Sequence, residues 1–194
     1  MNKILLATNN KNKISEINYI LKDIPGLQIL SVHYFGIAPE IVEDKNTIEE
    51  NAYKKALSNY NIFRIPAVSD DTGLFVDALG GEPGVHSARY AGVSASYSDN
   101  CSKLLLNLKD IPPESRTARF ETVICFYPDN KLFRGICKGK IINKPRGNNG
   151  FGYDPVFVPE GYEKTFAELS DTEKNKISHR SNALQEFRKY LLSC

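Results

Sequence analysis

The alternation of apolar and polar positions changes period several times along the chain, and each change marks an element. Ile4-Leu5-Leu6-Ala7 is wholly apolar, the pattern of a strand buried on both faces. A polar stretch follows, Thr8-Asn9-Asn10-Lys11-Asn12-Lys13, and then Ile14, Ile17 and Leu21 recur at helical spacing. Strand, loop and helix within about twenty residues are the opening of an α/β fold. Thr47-Ile48-Glu49-Glu50 predicts a second helix, with Thr47 and Glu50 as a capping box that satisfies free amides. Ile48, Ala52 and Ala56 share one face of that helix, with Tyr53, Leu57 and Tyr60 beside them. Pro66-Ala67-Val68-Ser69 reads as another short buried strand that ends at Asp70-Asp71.

Residues 80–92 hold four glycines and one proline and are expected to be loop. A short helix is expected over 101–108, stopped by Pro112-Pro113. Residues 117–127 alternate, placing Ala118, Phe120, Thr122, Ile124 and Phe126 on one face. Pro128-Asp129-Asn130 is turn chemistry, and 131–142 returns as the second arm of an antiparallel hairpin. Ser170 and Glu173 form a second capping box, so that 174–180 is expected to be helical already. Ala183, Leu184, Phe187, Tyr190 and Leu191 give a closing amphipathic helix. The fold class predicted is α/β with a mixed sheet.

A chain of 194 residues fits one domain or two closely packed lobes. With 41% hydrophobic and 25% charged residues it has the balance of a soluble globular protein, whose core needs no disulfide or structural metal. A net charge of +2 argues against a nucleic-acid partner, which calls for a clustered basic excess, so any anion site is local. Cys101, Cys125, Cys137 and Cys194 form no CxxC pair and have no histidine at ligand spacing, which argues against zinc and fits a reducing compartment. Met1-Asn2-Lys3 leads straight into the short run at Ile4 and not into a signal-peptide core. No stretch approaches the roughly 20 apolar residues of a membrane span. A cytoplasmic protein with no membrane partner is expected.

Four segments carry candidate chemistry. The loop after the first strand offers Thr8, Asn9, Asn10, Lys11, Asn12 and Lys13 as donors beside a helix N-terminus, which suits an anion. It lacks the glycines of a Walker loop or a dinucleotide fingerprint, and a solvated helix start accounts for it equally well. Asp70 and Asp71 are placed at the carboxyl end of a buried strand, where open α/β sheets put their ligands. Two adjacent carboxylates repel, and a divalent cation such as magnesium is a reason to keep them together. Glu43, Glu49 and Glu50 are further candidate ligands; a plain turn before Gly73 is the alternative. The glycine-rich stretch 147–155 places Phe151 and Tyr153 where backbone can approach a flat ligand, or else packs them in the core. Finally Lys174, Ser178, His179 and Arg180 are donors. Such a set favours a purine with oxygen at position 6 over adenine, because each buried donor left unpaired costs about 1–3 kcal/mol.

Taken together, LLATNNKNK from Leu5, ENAYKKA from Glu50, SDDTGLFVDALGGEPGVHSARYAG from Ser69, NGFGYDPVF from Asn149 and FAELSDTEKNKISHR from Phe166 resemble the inosine/xanthosine triphosphate pyrophosphatase family, in that family's order and over nearly the whole chain. The resemblance implies an elongated mixed sheet flanked by helices, in two lobes around a nucleotide-binding cleft, and a homodimer. It implies hydrolysis of ITP, dITP and XTP to monophosphate and pyrophosphate with Mg2+ as cofactor. By position, Thr8 to Lys13 would hold the triphosphate and Lys55 would add positive charge. Glu43 and Asp71 would bind magnesium, with Asp71, helped by Asp70, as the base that activates water. Thr72 stands where the family has serine and keeps the hydroxyl. Phe151 would stack on the base, Gly152, Tyr153 and Asp154 would shape its pocket, and Lys174, Ser178, His179 and Arg180 would read its edge. Asn149 and His86 depart from the family's glycine and tyrosine. A pyrimidine-directed relative and a nucleotide sensor without turnover are the rival readings.

Overall fold

The computed structural model describes residues 3–36 and 39–193, so the expectations on Met1-Asn2 and on the Cys194 thiol lie outside the described residues. Strand β1 (Lys3–Leu6) is buried from Ile4 onward, as its apolar run requires. Asn10 then starts helix α1 (Lys11–Leu21), its side chain accepting from the amides of Asn12 and Lys13. Strand β2 (Gln28–Ser31) follows, and helix α2 (Ile48–Phe63) begins at Thr47. There the expected box is half made: Thr47 Oγ1 accepts from the Glu50 amide at 3.2 Å, while the Glu50 carboxylate accepts from the Thr47 hydroxyl at 3.1 Å. Ile48, Ala52 and Ala56 are buried, whereas Tyr53 at the side of that face stays partly exposed.

Strand β3 (Ala67–Val76) is longer than expected. It does not stop at Asp70-Asp71 but carries both carboxylates in mid-strand. The short strand β4 (Pro83–Gly84) pairs with it inside the expected loop. Helix α3 (Tyr97–Asn107) is closed at its start by a Ser96–Asp99 capping box. Strand β5 (Thr117–Tyr127) is buried on both faces from Phe120 to Phe126, so its alternation marks no solvent side there. Strand β6 (Lys131–Ile141) is its neighbour. A link of Pro128-Asp129-Asn130, with Asn130 at φ 54, is too short for anything but an antiparallel return. Strand β7 (Phe157–Pro159) completes the sheet. Helix α4 (Asp171–Ile177) opens on the full Ser170–Glu173 capping box, and Ser178 interrupts it before helix α5 (His179–Ser193). The continuous helix expected over 174–180 is therefore broken at Ser178, whose backbone is extended (φ −68, ψ 152).

The sheet order is β2-β1-β3-β5-β6-β7, with β4 beside β3. β1 runs parallel to β2 and to β3, in register Leu5↔Ala67 and Leu6↔Val68, while β3–β4 and β6–β7 are antiparallel. It is thus the mixed sheet flanked by helices that the pattern predicts. The chain forms two compact units: residues 1–71, 122–135 and 180–194, and residues 72–121 and 136–179. In the first, Ile4, Leu6, Ile17, Leu21, Ile124, Phe126 and Phe187 form the core. In the second, Leu74, Leu104, Leu108, Phe120, Phe157 and Phe166 do so. Each fully buried side chain of this kind contributes about 1.5–3 kcal/mol. Among the described residues no helix is long and apolar enough to cross a membrane.

Candidate functional site

The first unit contains a cluster of buried charges built on β3. Consecutive residues of a strand point to opposite faces, and Asp70 and Asp71 accordingly meet different cations. Asp70 Oδ2 lies 3.0 Å from Lys13 Nζ and 3.1 Å from Arg180 Nε. Arg180 in turn donates from Nη1 to Glu16 Oε2 at 2.5 Å. Burial alone would raise the Asp70 pKa, but Lys13, Arg180 and Lys55 outweigh it and hold the carboxyl well below the usual range. Asp71 Oδ1 accepts from Lys55 Nζ at 2.9 Å. Here burial dominates, with the negative Glu43 nearby, and the Asp71 pKa is raised despite Lys55. The mutual repulsion expected of two neighbouring carboxylates is thus relieved within the chain, by one set of cations on each face.

Lys55 is the hub of the cluster. From α2 its ammonium reaches Glu43 Oε1 at 2.6 Å, the Asp70 carbonyl at 2.6 Å and Asp71 Oδ1 at 2.9 Å. Burial disfavours its charge, yet the three carboxylates around it raise its pKa above the ordinary lysine value. The Glu43 carboxyl is opposed by partial burial but lowered overall by the same ammonium. Two carboxylates thus converge on one cation, the donor set from which magnesium takes one or two ligands before water and phosphate complete its shell. Among the described residues no group of three or more His, Cys, Asp or Glu could hold a metal by itself. Glu43 and Asp71 fit an ion that brings its remaining ligands with it. Glu49 pairs with Arg134 and Glu50 with Thr47, so these two candidates are engaged elsewhere.

The donor loop is organised by its own side chains. Thr8 Oγ1 accepts from the Asn10 amide at 3.2 Å, and Asn10 Oδ1 caps the amides of Asn12 and Lys13. Asn9, Lys11 and Asn12 are exposed, while Lys13 turns inward to Asp70.

A second polar cluster lies in the second unit. Lys174 is buried and donates to Asp154 Oδ2 at 2.7 Å; its ammonium stands 4.8 Å from the Phe151 ring centroid and 5.7 Å from that of Phe166. The same Asp154 oxygen accepts from the Phe151 amide at 2.8 Å, fixing the loop that presents the ring. Gly150, at φ +74, is obligatory there, since a Cβ would stand 2.1 Å from Asp154 Oδ2. Gly152, at φ +63, faces open space, and Tyr153 is buried with its hydroxyl donating to the Ser87 carbonyl at 2.9 Å. Asn149, the departure from glycine, ties the loop down by donating to the Leu169 carbonyl at 3.1 Å. Ser178 caps α4 and is buried. His179 is buried with its ring stacked on Phe120, centroids 4.5 Å apart and planes at 14°. Thr72, half-buried, opens this unit's share of β3.

Of the four donors expected to act together, Lys174, Ser178 and His179 belong to this unit. Arg180 does not: it is committed to Asp70 and Glu16 in the other. Two residues without an assigned role are integral to these clusters. Glu16 shares a face of α1 with Lys13 at i, i+3 spacing, a signal that was present. Phe120 carried only the pattern of a core strand, and its stack on His179 had no local sign.

A family model, that of the Ham1 family, matches residues 4–190. The dITP/XTP pyrophosphatase of Desulfotalea psychrophila is 48% identical over 188 residues, covering 95% of this chain and 83% of that protein. The dITP/XTP pyrophosphatase of Thermoanaerobacter pseudethanolicus is 48% identical over 192 residues, 98% of this chain and 96% of its own. Among solved structures, a HAM1 protein from Coxiella burnetii superposes with a TM-score of 0.91 at 37% identity and covers 100% of both chains.

Proposed function

The chain belongs to the Ham1 family, and from that premise we propose how its two clusters divide the work of one reaction. That reaction is the hydrolysis of nonstandard purine nucleoside triphosphates, those of inosine, deoxyinosine and xanthosine, to monophosphate and pyrophosphate. The observation that carries the division is the convergence of Glu43 and Asp71 on a single ammonium, that of Lys55. Magnesium held by Glu43 and Asp71 would neutralise phosphate charge and orient the attacking water.

Lys13 and Lys55 supply further positive charge to the triphosphate and the departing pyrophosphate. Asp71 is the general base: burial raises its pKa, which suits proton uptake better than the lowered pKa of Asp70, which its cations hold ionised. Asp70 and Arg180 act as a pair that positions β3 and α5 around the base. Thr8, Asn9, Asn10, Lys11 and Asn12 line the triphosphate as donors, Asn10 chiefly by shaping the turn, and Thr72 adds a hydroxyl. In the second unit Phe151 offers its face to the purine, and Gly152, Tyr153 and Asp154 hold that ring in place. Lys174, Ser178 and His179 donate to the oxygen at position 6, which adenine lacks. The same reading takes both units as one enzyme domain, working as a cytoplasmic homodimer; it rests on the family resemblance, and sedimentation velocity tests the dimer.

The deciding measurement is pyrophosphate release from ITP, dITP, XTP, GTP and ATP, with and without magnesium, for the unsubstituted chain and for Asp71→Asn. Fast magnesium-dependent turnover of the first three and slow turnover of ATP, all lost in the variant, are expected. Equal turnover of all five would overturn the base-reading role of Lys174, Ser178 and His179. Full activity in Asp71→Asn would overturn its assignment as base.

A further inference from the structure

Four buried cations occur among the described residues: Lys55, Arg116, Lys174 and Arg180. Lys55, Lys174 and Arg180 each have a carboxylate within 3.1 Å. Arg116 has none. Only 6% of it is exposed, and its Nε donates to the Ile111 carbonyl at 2.9 Å. The guanidinium carries four more N–H bonds on Nη1 and Nη2, and these meet no acceptor among the described residues. Nη1 and Nη2 are not among the sealed, unpaired polar atoms, so they open onto solvent, and what lies in front of Arg116 decides what they can meet.

In front of it is a shallow, open-mouthed cavity of about 530 Å³ within the second unit, Arg116 forming part of its wall. Leu105, at the end of α3, and the Ile111-Pro112-Pro113 turn supply its apolar sides. Lys109 and Asn143 stand at the exposed rim, and the one carboxylate of the lining, Asp110, lies 3.8 Å from Lys109. Counting Arg116 and Lys109 against Asp110, the lining carries one net positive charge. Its volume falls in the range of sites for small organic molecules. A planar guanidinium with both terminal nitrogens available matches a carboxylate in the two-pronged geometry.

We propose that this cavity is a second binding site, for a small organic monoanion. Its carboxylate pairs with Nη1 and Nη2 of Arg116, and a compact apolar body rests on Leu105, Ile111 and Pro112. Nothing in the nucleotide chemistry uses Arg116, so the site is independent of that reading. A single net positive charge on the lining selects against inorganic phosphate and against a nucleoside triphosphate, each of which carries more negative charge. An Arg116 that merely staples the Ile111 turn through Nε is the structural alternative, and it makes no demand on an anion.

The chain contains no tryptophan, so Pro113→Trp places a unique fluorophore at the rim without altering charge. Benzoate is titrated into this variant, with benzamide as a neutral analogue of the same shape and inorganic phosphate as a bare anion. A saturable benzoate response is expected, with benzamide and phosphate each at least about tenfold weaker. Adding Arg116→Gln to the reporter should abolish the response. Because that change also removes the Nε bond, Asn143→Asp provides a second arm: it adds a negative charge at the rim and leaves the turn intact. It should weaken benzoate by roughly threefold or more and leave benzamide unchanged. No benzoate response up to its solubility limit, equal responses to benzoate and benzamide, or insensitivity to Asn143→Asp would each overturn the proposal. A saturating phosphate response as strong as that of benzoate would overturn the assignment to an organic anion.

Discussion

The duties proposed for Asp70 and Asp71, neighbours in sequence, are opposite, and their partners make the difference measurable. Asp70 is the buried counter-charge of Arg180 and Lys13. Replacing it with asparagine leaves Lys13 without this carboxylate and Arg180 with Glu16 alone, which costs about 3–5 kcal/mol. A fall in melting temperature of roughly 10 °C is expected by calorimetry. Its lowered pKa sets the sign of the acid response: the stabilisation is complete above the usual carboxylate range and is lost as pH falls below it. Asp71→Asn leaves Lys55 bonded to Glu43 and to the Asp70 carbonyl. Its melting temperature should shift much less, while turnover should fall by about 10²–10⁴ through loss of the proposed base. If Asp70→Asn kept full stability and Asp71→Asn lost it, the two assignments would have to be exchanged.

At the level of elements, the loop around Gly150 is where backbone conformation and the proposed base recognition meet. Gly150→Ala forces Asp154 away from a Cβ at φ +74 and with it the bonds to Lys174 and to the Phe151 amide. The expected result is a KM for ITP raised about tenfold with kcat little changed, since the loss falls on binding. A fall in kcat alone would show that the loop serves the chemical step instead. How much of this could be read from the sequence differs by element. The first strand, its polar loop and α1 were legible because apolar run, cap and helical spacing are all local. The true length of β3 was not: Asp-Asp-Thr-Gly has the composition of a turn. What permits burial there is Arg180, a residue 110 positions away that periodicity cannot see. The break at Ser178 was equally hidden, because no proline or glycine marks it. The same distance effect explains Arg180, which shares a motif with His179 in sequence and faces another set of partners in space.

At the scale of the whole molecule, both units contain buried thiols. Burial pushes Cys101 up to about 11, with Asp154 adding to it. It takes Cys125 and Cys137 to about 12, Glu160 contributing to the latter. A raised folded-state value means the folded protein holds its protons longer, so their stabilising effect is present below the ordinary thiol range and lost as pH climbs through it. Urea midpoints should therefore be flat up to about pH 8.5 and then fall steadily. At pH 8 iodoacetamide should label the native chain at these three positions far more slowly than the unfolded one. Rapid native labelling would contradict the burial of these thiols.

The Lys55 ammonium has a further consequence, which concerns what a cell must supply before the enzyme can exist. Because the chain carries its own cation between Glu43 and Asp71, folding is expected not to wait on a metal. On the proposed reading the divalent ion would be a visitor that travels in with the nucleotide and leaves with the product, so a metal-starved cell would accumulate intact, idle enzyme. Treatment with a chelator should abolish turnover at once yet leave the melting temperature within about 1 °C, as no bound ligand is being withdrawn from the folded state. Prompt restoration of activity by added magnesium, without a refolding lag, completes that expectation, whereas a large loss of thermal stability on chelation would make the ion a structural component.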